Sequence, residues 1–231
     1  MMTDFKLTDK IGDIVATFPG AASLFMDNRI DFCCGGNRPL QEAIENESIN
    51  KNDLLKELNT RHEDFKEQKV EFVDWAKETP TKLIRHVVDT HHHYLNNELP
   101  RISELVLKIL QVHGLTHPEL FKVHKLYNAL RTELEEHLVK EETMIFPAIQ
   151  EYEKAKTPEG RVSVLALIEE LEAEHEAAGD IIKEIQKITN YHTAPADGCG
   201  TFVLTYQKLK DLEVDTFEHI HLENNILFKN L

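Results

Sequence analysis

The sequence predicts an all-α protein in which a small N-terminal helical domain precedes an up-down-up-down four-helix bundle. Three observations lead to this fold class. Apolar residues recur at three- and four-residue spacing, no segment alternates as a strand does, and a proline beside a capping residue opens each long amphipathic stretch. A chain of 231 residues is long enough to bury the core that two such domains require.

Short helices are predicted for the N-terminal domain, residues 1–60. The segments LTDKIGDIVATF and GAASLFMDNRI have helical spacing, and Pro19 with Gly20 separates them. Pro39 stands where a third helix begins, and NKNDLLKELNT supplies the last one. The stretch that follows is too polar to pack deeply, so residues 61–79 are predicted to be a linker.

The bundle is predicted over residues 80–231, with four helices of roughly 25 to 35 residues joined by short loops. Short loops make consecutive helices antiparallel neighbours. The start signals of the four helices are Thr79-Pro80, Thr116 to Pro118, Thr157-Pro158 and Pro195 with Asp197.

Composition excludes several classes of partner. The formal net charge of -15 disfavours nucleic acid and anionic membranes, which would both repel the protein. The longest apolar runs, such as VSVLALI, are far shorter than the roughly 18 residues of a membrane span, and the polar opening MMTDFKLTDK does not resemble a secretion signal. Three cysteines do not make a disulfide framework, so a cytoplasmic protein is predicted.

Histidine is concentrated in the predicted bundle, where twelve of the thirteen lie between residues 86 and 221. Two stretches of the bundle repeat one pattern, EHLVKEETMIF at 136–146 and EHIHLENNILF at 218–228. Each places a histidine four residues before a glutamate, which stacks the two side chains on one helix face. The two pairs are His137 with Glu141 and His219 with Glu223.

One more histidine interrupts the apolar line of each remaining helix, His92 on the first and His175 on the third. Each half of the bundle therefore has a histidine, a second histidine 45 or 44 residues later, and a glutamate four residues beyond that. A single histidine on an apolar helix face is more often structural. The repeated combination favours a metal site.

Six polar groups that face one interior need a common partner, because an unpaired buried imidazole or carboxylate costs several kcal/mol. Four imidazoles and two carboxylates exceed the needs of one tetrahedral zinc and suit two octahedral ions bridged by the glutamates. The mixed nitrogen and oxygen donors favour iron, with manganese as the alternative, over magnesium, calcium or zinc. We expect His92 and His219 to share one ion, and His137 and His175 the other.

Other residues are assigned around this set. Glu142 and Glu174 are predicted to hold ligand imidazoles by the second ring nitrogen. His113 is assigned to a loop near the bundle mouth, facing solvent or the site, and Cys199 in DGCGT is predicted to be inert. The histidines assigned to the surface or to the surroundings of the ligands are His91, His93 and His221.

The stretch DFCCGG at 31–36 leaves two interpretations open. Adjacent cysteines close only a strained disulfide ring, and two thiols cannot fill a metal site by themselves. Gly35 and Gly36 are expected to end the preceding helix whatever the sulfurs do. Cys33 and Cys34 are therefore either candidate redox thiols that act beside the metal site or part of a simple turn.

Together, DFCCGG, EHLVKEE, EAEHEAAG and EHIHLENNILF resemble the iron-sulfur cluster repair di-iron proteins, the YtfE, ScdA and DnrN group, along nearly the whole chain. The resemblance implies a hemerythrin-like bundle with two iron ions. It also places His113 at a family histidine between the first two helices, as a candidate residue beside the ligands. The implied iron ligands are the six that the spacing selects: His92, His137, Glu141, His175, His219 and Glu223.

The resemblance also implies a function. Such proteins act in the cytoplasm, often as homodimers, in the stress response that restores iron-sulfur clusters damaged by nitric oxide or peroxide, so damaged iron-sulfur proteins are the implied partners. Iron donation and nitric oxide reduction both fit the sequence, and the second would make the protein an enzyme. The alternatives are a hemerythrin-like protein that binds or senses oxygen or nitric oxide, which has no need of the cysteine pair, and a bundle without functional metal.

Overall fold

The computed structural model describes residues 4–44, 48–68 and 72–231, and its regular elements there are helical. An isolated antiparallel bridge between Lys10 and Pro39 is the sole strand-like pairing in these ranges. The predicted all-α class is therefore confirmed. The α-helices are α1 (Ile11–Thr17), α2 (Ala21–Asp27), α3 (Leu40–Ala43), α4 (Lys51–Glu67), α5 (Pro80–Val87), α6 (His93–His113), α7 (Glu119–Lys140), α8 (Phe146–Ala155), α9 (Pro158–Ile188) and α10 (Gly200–Leu222).

Helix α4 extends farther than its predicted end. The Asn50 side chain caps it by accepting hydrogen bonds from the backbone N–H groups of Asn52 and Asp53, at 2.9 and 3.3 Å. The helix then continues to Glu67, through residues that the sequence predicts as linker. Residues 69–71 of that predicted linker, like 1–3 and 45–47 of the predicted N-terminal domain, lie outside the described residues.

Packing of His62 explains why α4 continues. The His62 side chain is 1% exposed, and its ring stacks on Phe5 and Phe18 with centroid separations of 4.5 and 5.3 Å. Phe65, one turn further along α4, packs on Phe18 at 5.2 Å. The polar sequence of this stretch therefore conceals an aromatic face, and burial of that face stabilises the last turns of α4.

The chain divides into two compact units, residues 1–83 with 217–231, and residues 84–216. The boundaries fall within α5 and α10, whereas the sequence places them in the polar stretch 61–79. In the first unit α1, α2 and α4 pack together, and the π-helical turn Glu223–Leu227 packs on α1.

The second unit contains the bundle. Helix α6 packs against α7, and α7 packs against α9. Polar links join the part of α10 that lies in this unit to its neighbours: Lys208 contacts Glu98 of α6 at 2.8 Å, and Gln186 of α9 donates a hydrogen bond to Glu213. Consecutive long helices are thus neighbours around one core, as in an up-down-up-down bundle.

Local sequence signals set the helix starts. The Thr157 side chain accepts a hydrogen bond from the Gly160 N–H at 3.1 Å, and Pro158 is the first residue of α9. Thr79 caps α5 in the same way through the Lys82 N–H at 3.3 Å. Helix α10 begins at Gly200, a few residues after the predicted signal at Pro195 and Asp197.

In the part of the chain that the structure describes, three π-helical turns interrupt the regular helices, at Val88–His92, Glu141–Ile145 and Glu223–Leu227. Each begins or ends on a predicted metal ligand: His92, Glu141 or Glu223. A π turn accommodates one extra residue and is found mostly at functional sites, because it changes the direction of the side chains that follow. No sequence signal had indicated these turns.

Among the described residues, no helix combines the length and the apolar character that crossing a bilayer requires.

Candidate metal centre

Glu141 lies at the centre of the predicted ligand set in the second unit. Its side chain is completely buried, and its two oxygens face different imidazoles. Oε2 lies 3.1 Å from Nε2 of His92, and Oε1 lies 3.1 Å from Nε2 of His137. A carboxylate with one oxygen directed at each of two nitrogen donors has the arrangement of a bridging ligand.

His175 adds a third imidazole to this group. Its Nε2 lies 3.1 Å from Nε2 of His137, and both rings are buried, with centroids 4.8 Å apart. Two ring nitrogens that face each other at this distance cannot both carry a proton, so at least one lone pair is directed inward. One donor atom from each of His137, Glu141 and His175 can be chosen so that all lie within 4.8 Å of one another.

Two outer carboxylates orient these imidazoles, as the sequence predicts. Nδ1 of His92 lies 2.8 Å from Oε1 of Glu142, and Nδ1 of His137 lies 2.9 Å from Oε2 of Glu174. A carboxylate only accepts, so each Nδ1 carries the donated proton and each Nε2 is left as a donor atom for a cation. Both carboxylates are partly exposed, which places solvent one residue away from the buried donors.

Lys140 anchors one of the outer carboxylates. Its Nζ lies 2.7 Å from Oε1 of Glu174 and 2.7 Å from Oε1 of Glu170. Burial by itself would raise the pKa of Glu174, but the hydrogen bonds from Lys140 and His137 outweigh burial and lower it. Glu174 therefore stays ionised and accepts the hydrogen bond from His137.

The two remaining predicted ligands belong to the first unit. His219 and Glu223 are 1% and 0% exposed, and Nε2 of His219 lies 3.4 Å from Oε1 of Glu223. The four-residue spacing thus brings the pair together, as His137 and Glu141 are brought together in the other unit. Glu223 opens a π-helical turn, as Glu141 does.

The cysteine motif is bound to this C-terminal segment through Asn225. Its Nδ2 donates hydrogen bonds to the carbonyl oxygens of Phe32 and Cys33, at 3.2 and 2.8 Å. A Cβ on Gly36 would lie 2.0 Å from Oδ1 of Asn225, and one on Gly12 would lie 2.3 Å from it. A larger residue at either position would therefore have to displace the Asn225 side chain, which fills this space.

Asp31 shapes the motif itself. Its Oδ1 accepts hydrogen bonds from the N–H groups of Cys33, Cys34 and Gly35, at 3.2, 3.1 and 3.1 Å. The two Sγ atoms lie 3.8 Å apart, so no disulfide joins them. Burial, the hydrogen bond with Cys34 and the charge of Asp31 raise the pKa of Cys33 well above its usual value. Cys33 is 1% exposed, whereas Cys34 is partly exposed and is the accessible thiol of the pair.

Other predicted residues lie elsewhere. His91 is buried, and its Nδ1 lies 3.0 Å from Oδ1 of Asp215, a partner that the sequence did not indicate. His221 is also buried and packs its ring edge against Phe32. His93 is exposed, as one of its two predicted placements required.

His113 is not brought to the other candidate residues. It ends α6, while His92 precedes the first residue of that helix, so the helical rise separates the two by about 30 Å. Its Nε2 instead lies 3.2 Å from Sγ of Cys199. Cys199 is not the isolated thiol that the sequence suggests, because this contact lowers the pKa of Cys199 to about 7.

The donor set fits a transition-metal cation. His92, His137, Glu141 and His175 are all buried and supply nitrogen and carboxylate oxygen donors. Magnesium and calcium prefer sites made of oxygen alone, whereas imidazole suits iron, zinc, copper and nickel. The outer carboxylates that hold two of the imidazoles are the usual accompaniment of histidine ligands.

Comparison with known proteins supports the same conclusion. Residues 83–231 match the hemerythrin HHE cation binding domain, and residues 7–62 match a family described as a Domain of Unknown function (DUF542). The "Iron-sulfur cluster repair protein ScdA" of Staphylococcus epidermidis is 31% identical over 224 residues, which are 96% of this chain and 97% of that protein. The chain belongs to this family of hemerythrin-domain iron-sulfur cluster repair proteins.

Other relatives extend the match beyond staphylococci. The "Probable iron-sulfur cluster repair protein" of Haemophilus influenzae is 32% identical over 223 residues, 95% of this chain and 94% of that protein. The "Iron-sulfur cluster repair protein YtfE" of Escherichia coli O81 is 31% identical over 219 residues, 94% of each chain. The family predicted from the motifs is confirmed, and the buried cluster of the second unit lies within the HHE cation-binding domain.

Proposed function

We propose that this protein repairs iron-sulfur clusters damaged by oxidative or nitrosative stress, using a di-iron centre in its HHE domain. The observation that carries the proposal is the position of Glu141, whose two buried oxygens each face a different histidine. This geometry supports two adjacent cations rather than one. The names of the relatives, which are iron-sulfur cluster repair proteins, supply the process.

The proposed ligands of the centre are the six residues His92, His137, Glu141, His175, His219 and Glu223. In the second unit, Glu141 would hold both ions, His92 would hold one, and His137 with His175 would hold the other; the contacts of Glu141 with His92 and His137, and of His137 with His175, support this assignment. The matching His219 and Glu223 pair of the sequence repeat supplies a fourth imidazole and a second bridge. Bound iron supplies either the metal that a damaged cluster has lost or the electrons that nitric oxide accepts.

The surroundings of the ligands support release of iron to an acceptor. Glu142 and Glu174, which hold His92 and His137, have side chains that are 44% and 37% exposed. Water and small solutes therefore reach the groups that orient the ligands. The carboxylates that hold ligand imidazoles govern much of the affinity for the metal. A metal centre in which solvent reaches these carboxylates therefore exchanges its metal more readily than one that is enclosed on all sides.

The proposal is tested with iron-loaded full-length protein and an enzyme whose iron-sulfur cluster has been damaged by nitric oxide. We expect two irons per chain and recovery of the damaged enzyme, and we expect Glu141→Ala to lose both. Glu136→Ala is the matched control because Glu136 is an exposed carboxylate on the same helix, next to His137. Recovery that proceeds equally well with Glu141→Ala would contradict the proposal.

An iron isotope distinguishes the two chemical routes. If labelled iron from the protein appears in the repaired cluster, the protein donates iron. If the label stays bound while nitric oxide is consumed, the centre reduces nitric oxide and the protein is an enzyme. Reversible oxygen binding without either result would favour the alternative of a hemerythrin-like carrier or sensor.

The cysteine pair is proposed to act after iron has been bound. Cys34 is the accessible thiol, and Asn225 ties the motif to the segment that carries Glu223. Cys33→Ser with Cys34→Ser is expected to leave the iron content unchanged and to slow repair. If this double variant repairs clusters as well as the wild type does, the cysteine motif serves only as a turn. A cytoplasmic location and a homodimer, implied by the resemblance, stay predictions.

A further inference from the structure

We propose that Cys199 and His113 form a reactive thiol-imidazole pair, at which low-molecular-weight disulfides attach a thiol reversibly to Cys199. Nε2 of His113 lies 3.2 Å from Sγ of Cys199, although the residues are 86 positions apart in the chain. A cysteine beside an imidazole is the arrangement that generates a thiolate nucleophile. The pair lies at the end of α6 opposite to His92, and the proposed function makes no use of it.

The backbone around Cys199 also favours the thiolate. Cys199 immediately precedes Gly200, the first residue of α10, and its carbonyl accepts a hydrogen bond from the Val203 N–H at 3.1 Å. A helix start presents N–H groups and a partial positive charge, which stabilise an anion. The hydrogen bond with His113 contributes most to the lowered pKa of Cys199, and the N–H groups of Phe202 and Thr201 contribute further.

The rings of His117 and Phe202 pack around His113, and two carboxylates bond His117. The ring of His117 lies 6.2 Å from that of His113, and Phe202 packs against both rings at 5.4 Å. Burial opposes the charged form of His117, but its hydrogen bonds to Asp197 at 3.2 Å and Glu119 at 3.1 Å outweigh burial and raise its pKa. The titratable groups around the thiol are thus those of His113, His117, Glu119 and Asp197.

Access to the sulfur is open. Cys199 is exposed, and it stands between two glycines. A Cβ on Gly200 would meet no atom within 4 Å outside its chain neighbours and the backbone of its own helix, so the space beside Cys199 is open on that side. Cys33 differs from Cys199 in both exposure and pKa: it is buried, and its pKa is raised. Cys199 is therefore exposed and has a pKa lowered to about 7, and this combination makes a thiol reactive near neutral pH.

The proposed step is thiol-disulfide exchange. The Cys199 thiolate attacks one sulfur of the disulfide, a new bond forms between that sulfur and Sγ, and the original disulfide bond breaks. The departing half leaves as a thiolate and takes a proton from solvent. Cys199 is oxidised, the small disulfide is reduced, and a reducing dithiol reverses the reaction.

The test is the rate at which iron-loaded, full-length protein reacts with 5,5′-dithiobis(2-nitrobenzoic acid), followed from pH 5 to 10. We expect the rate constant to rise with a midpoint near 7, and peptide mass analysis to place the adduct on Cys199. Cys199→Ser is expected to lose this reaction. A midpoint near 9 for the wild-type protein, or an adduct mainly on Cys33 or Cys34, would overturn the proposal.

His113→Gln tests the imidazole directly, because glutamine keeps a polar group but cannot titrate. A full return of the Cys199 pKa from about 7 to about 9 would lower the thiolate fraction at pH 7 about 50-fold and raise nucleophilicity about eightfold, so the rate would fall about sixfold. Sixfold is the upper limit, because the Phe202 and Thr201 N–H groups remain in the variant. Above pH 9 the variant should react faster than the wild type. If His113 had only a structural role, the variant would not change from the slower protein at pH 7 to the faster one above pH 9. Equal pH profiles for the two proteins would refute the role of His113.

Discussion

Removal of the Glu174 carboxylate is expected to weaken iron binding without disturbing the fold. Oε2 of Glu174 accepts a hydrogen bond from Nδ1 of His137 at 2.9 Å, which leaves Nε2 of His137 directed at Glu141. Loss of such an outer contact typically lowers metal affinity about 10- to 100-fold, equivalent to about 1.4 to 2.7 kcal/mol. Glu174→Ala should fall in this range. Glu174→Gln should have a smaller effect, because its amide oxygen still accepts the Nδ1 proton.

Glu170→Ala is the matched control for this experiment. Glu170 and Glu174 both contact Lys140 at 2.7 Å, and Glu174 also contacts Nδ1 of His137, at 2.9 Å. The assay is anaerobic competition for iron between each variant and a chelator of known affinity, with helix content checked by circular dichroism. Equal iron affinity in Glu170→Ala and Glu174→Ala would refute the reasoning, since both lose the same lysine contact.

Two further predictions concern the first unit. Gly36→Ala should displace Asn225 from the carbonyls of Phe32 and Cys33 and lower the free energy of unfolding by about 1–3 kcal/mol. Gly200→Ala is the control: its Cβ meets no atom within 4 Å outside its chain neighbours and the backbone of its own helix, so the free energy of unfolding in urea should change by less than about 0.5 kcal/mol. If Gly36→Ala costs as much in an Asn225→Ala background as in the wild type, the steric explanation is contradicted. Burial and the charge of Lys66 lower the pKa of His62. As the pH falls, His62 of the unfolded chain is protonated at about pH 6.5, before His62 of the folded protein is. The free energy of unfolding should therefore fall as pH decreases below that value, by at most about 1.4 kcal/mol per pH unit. His62→Phe should flatten this dependence in urea unfolding between pH 7 and pH 5.5, and an unchanged slope would show that other groups are responsible.

Helical periodicity carried much of the information in this sequence. A four-residue interval places His137 with Glu141, and His219 with Glu223, on one face of a helix wherever that helix packs. Both contacts occur in the structure, at 3.1 and 3.4 Å. Glu142 and Glu174 were predicted as outer carboxylates because each stands beside a predicted ligand in the sequence. Their contacts with His92 and His137, 50 and 37 residues away, come from packing between helices.

Composition was a poorer guide where a polar stretch hides an apolar face. The residues RHEDFKEQKVEF are mostly charged, and a linker was predicted there. In the structure α4 continues to Glu67 because His62 and Phe65 pack on Phe18. Three aromatic rings in contact outweigh the polar composition of the surrounding residues, and only the packing partner shows this.

The sequence by itself determined the helical class, the family and the residue types that can hold a metal. These depend on residue spacing within single helices and on short motifs, both of which are visible in the sequence. The tertiary structure decided what each side chain meets. It placed the two oxygens of Glu141 against different histidines, tied Asn225 to the cysteine motif 192 residues away, and paired Cys199 with His113. Such contacts arise from packing between distant segments, to which the period of one helix gives no access.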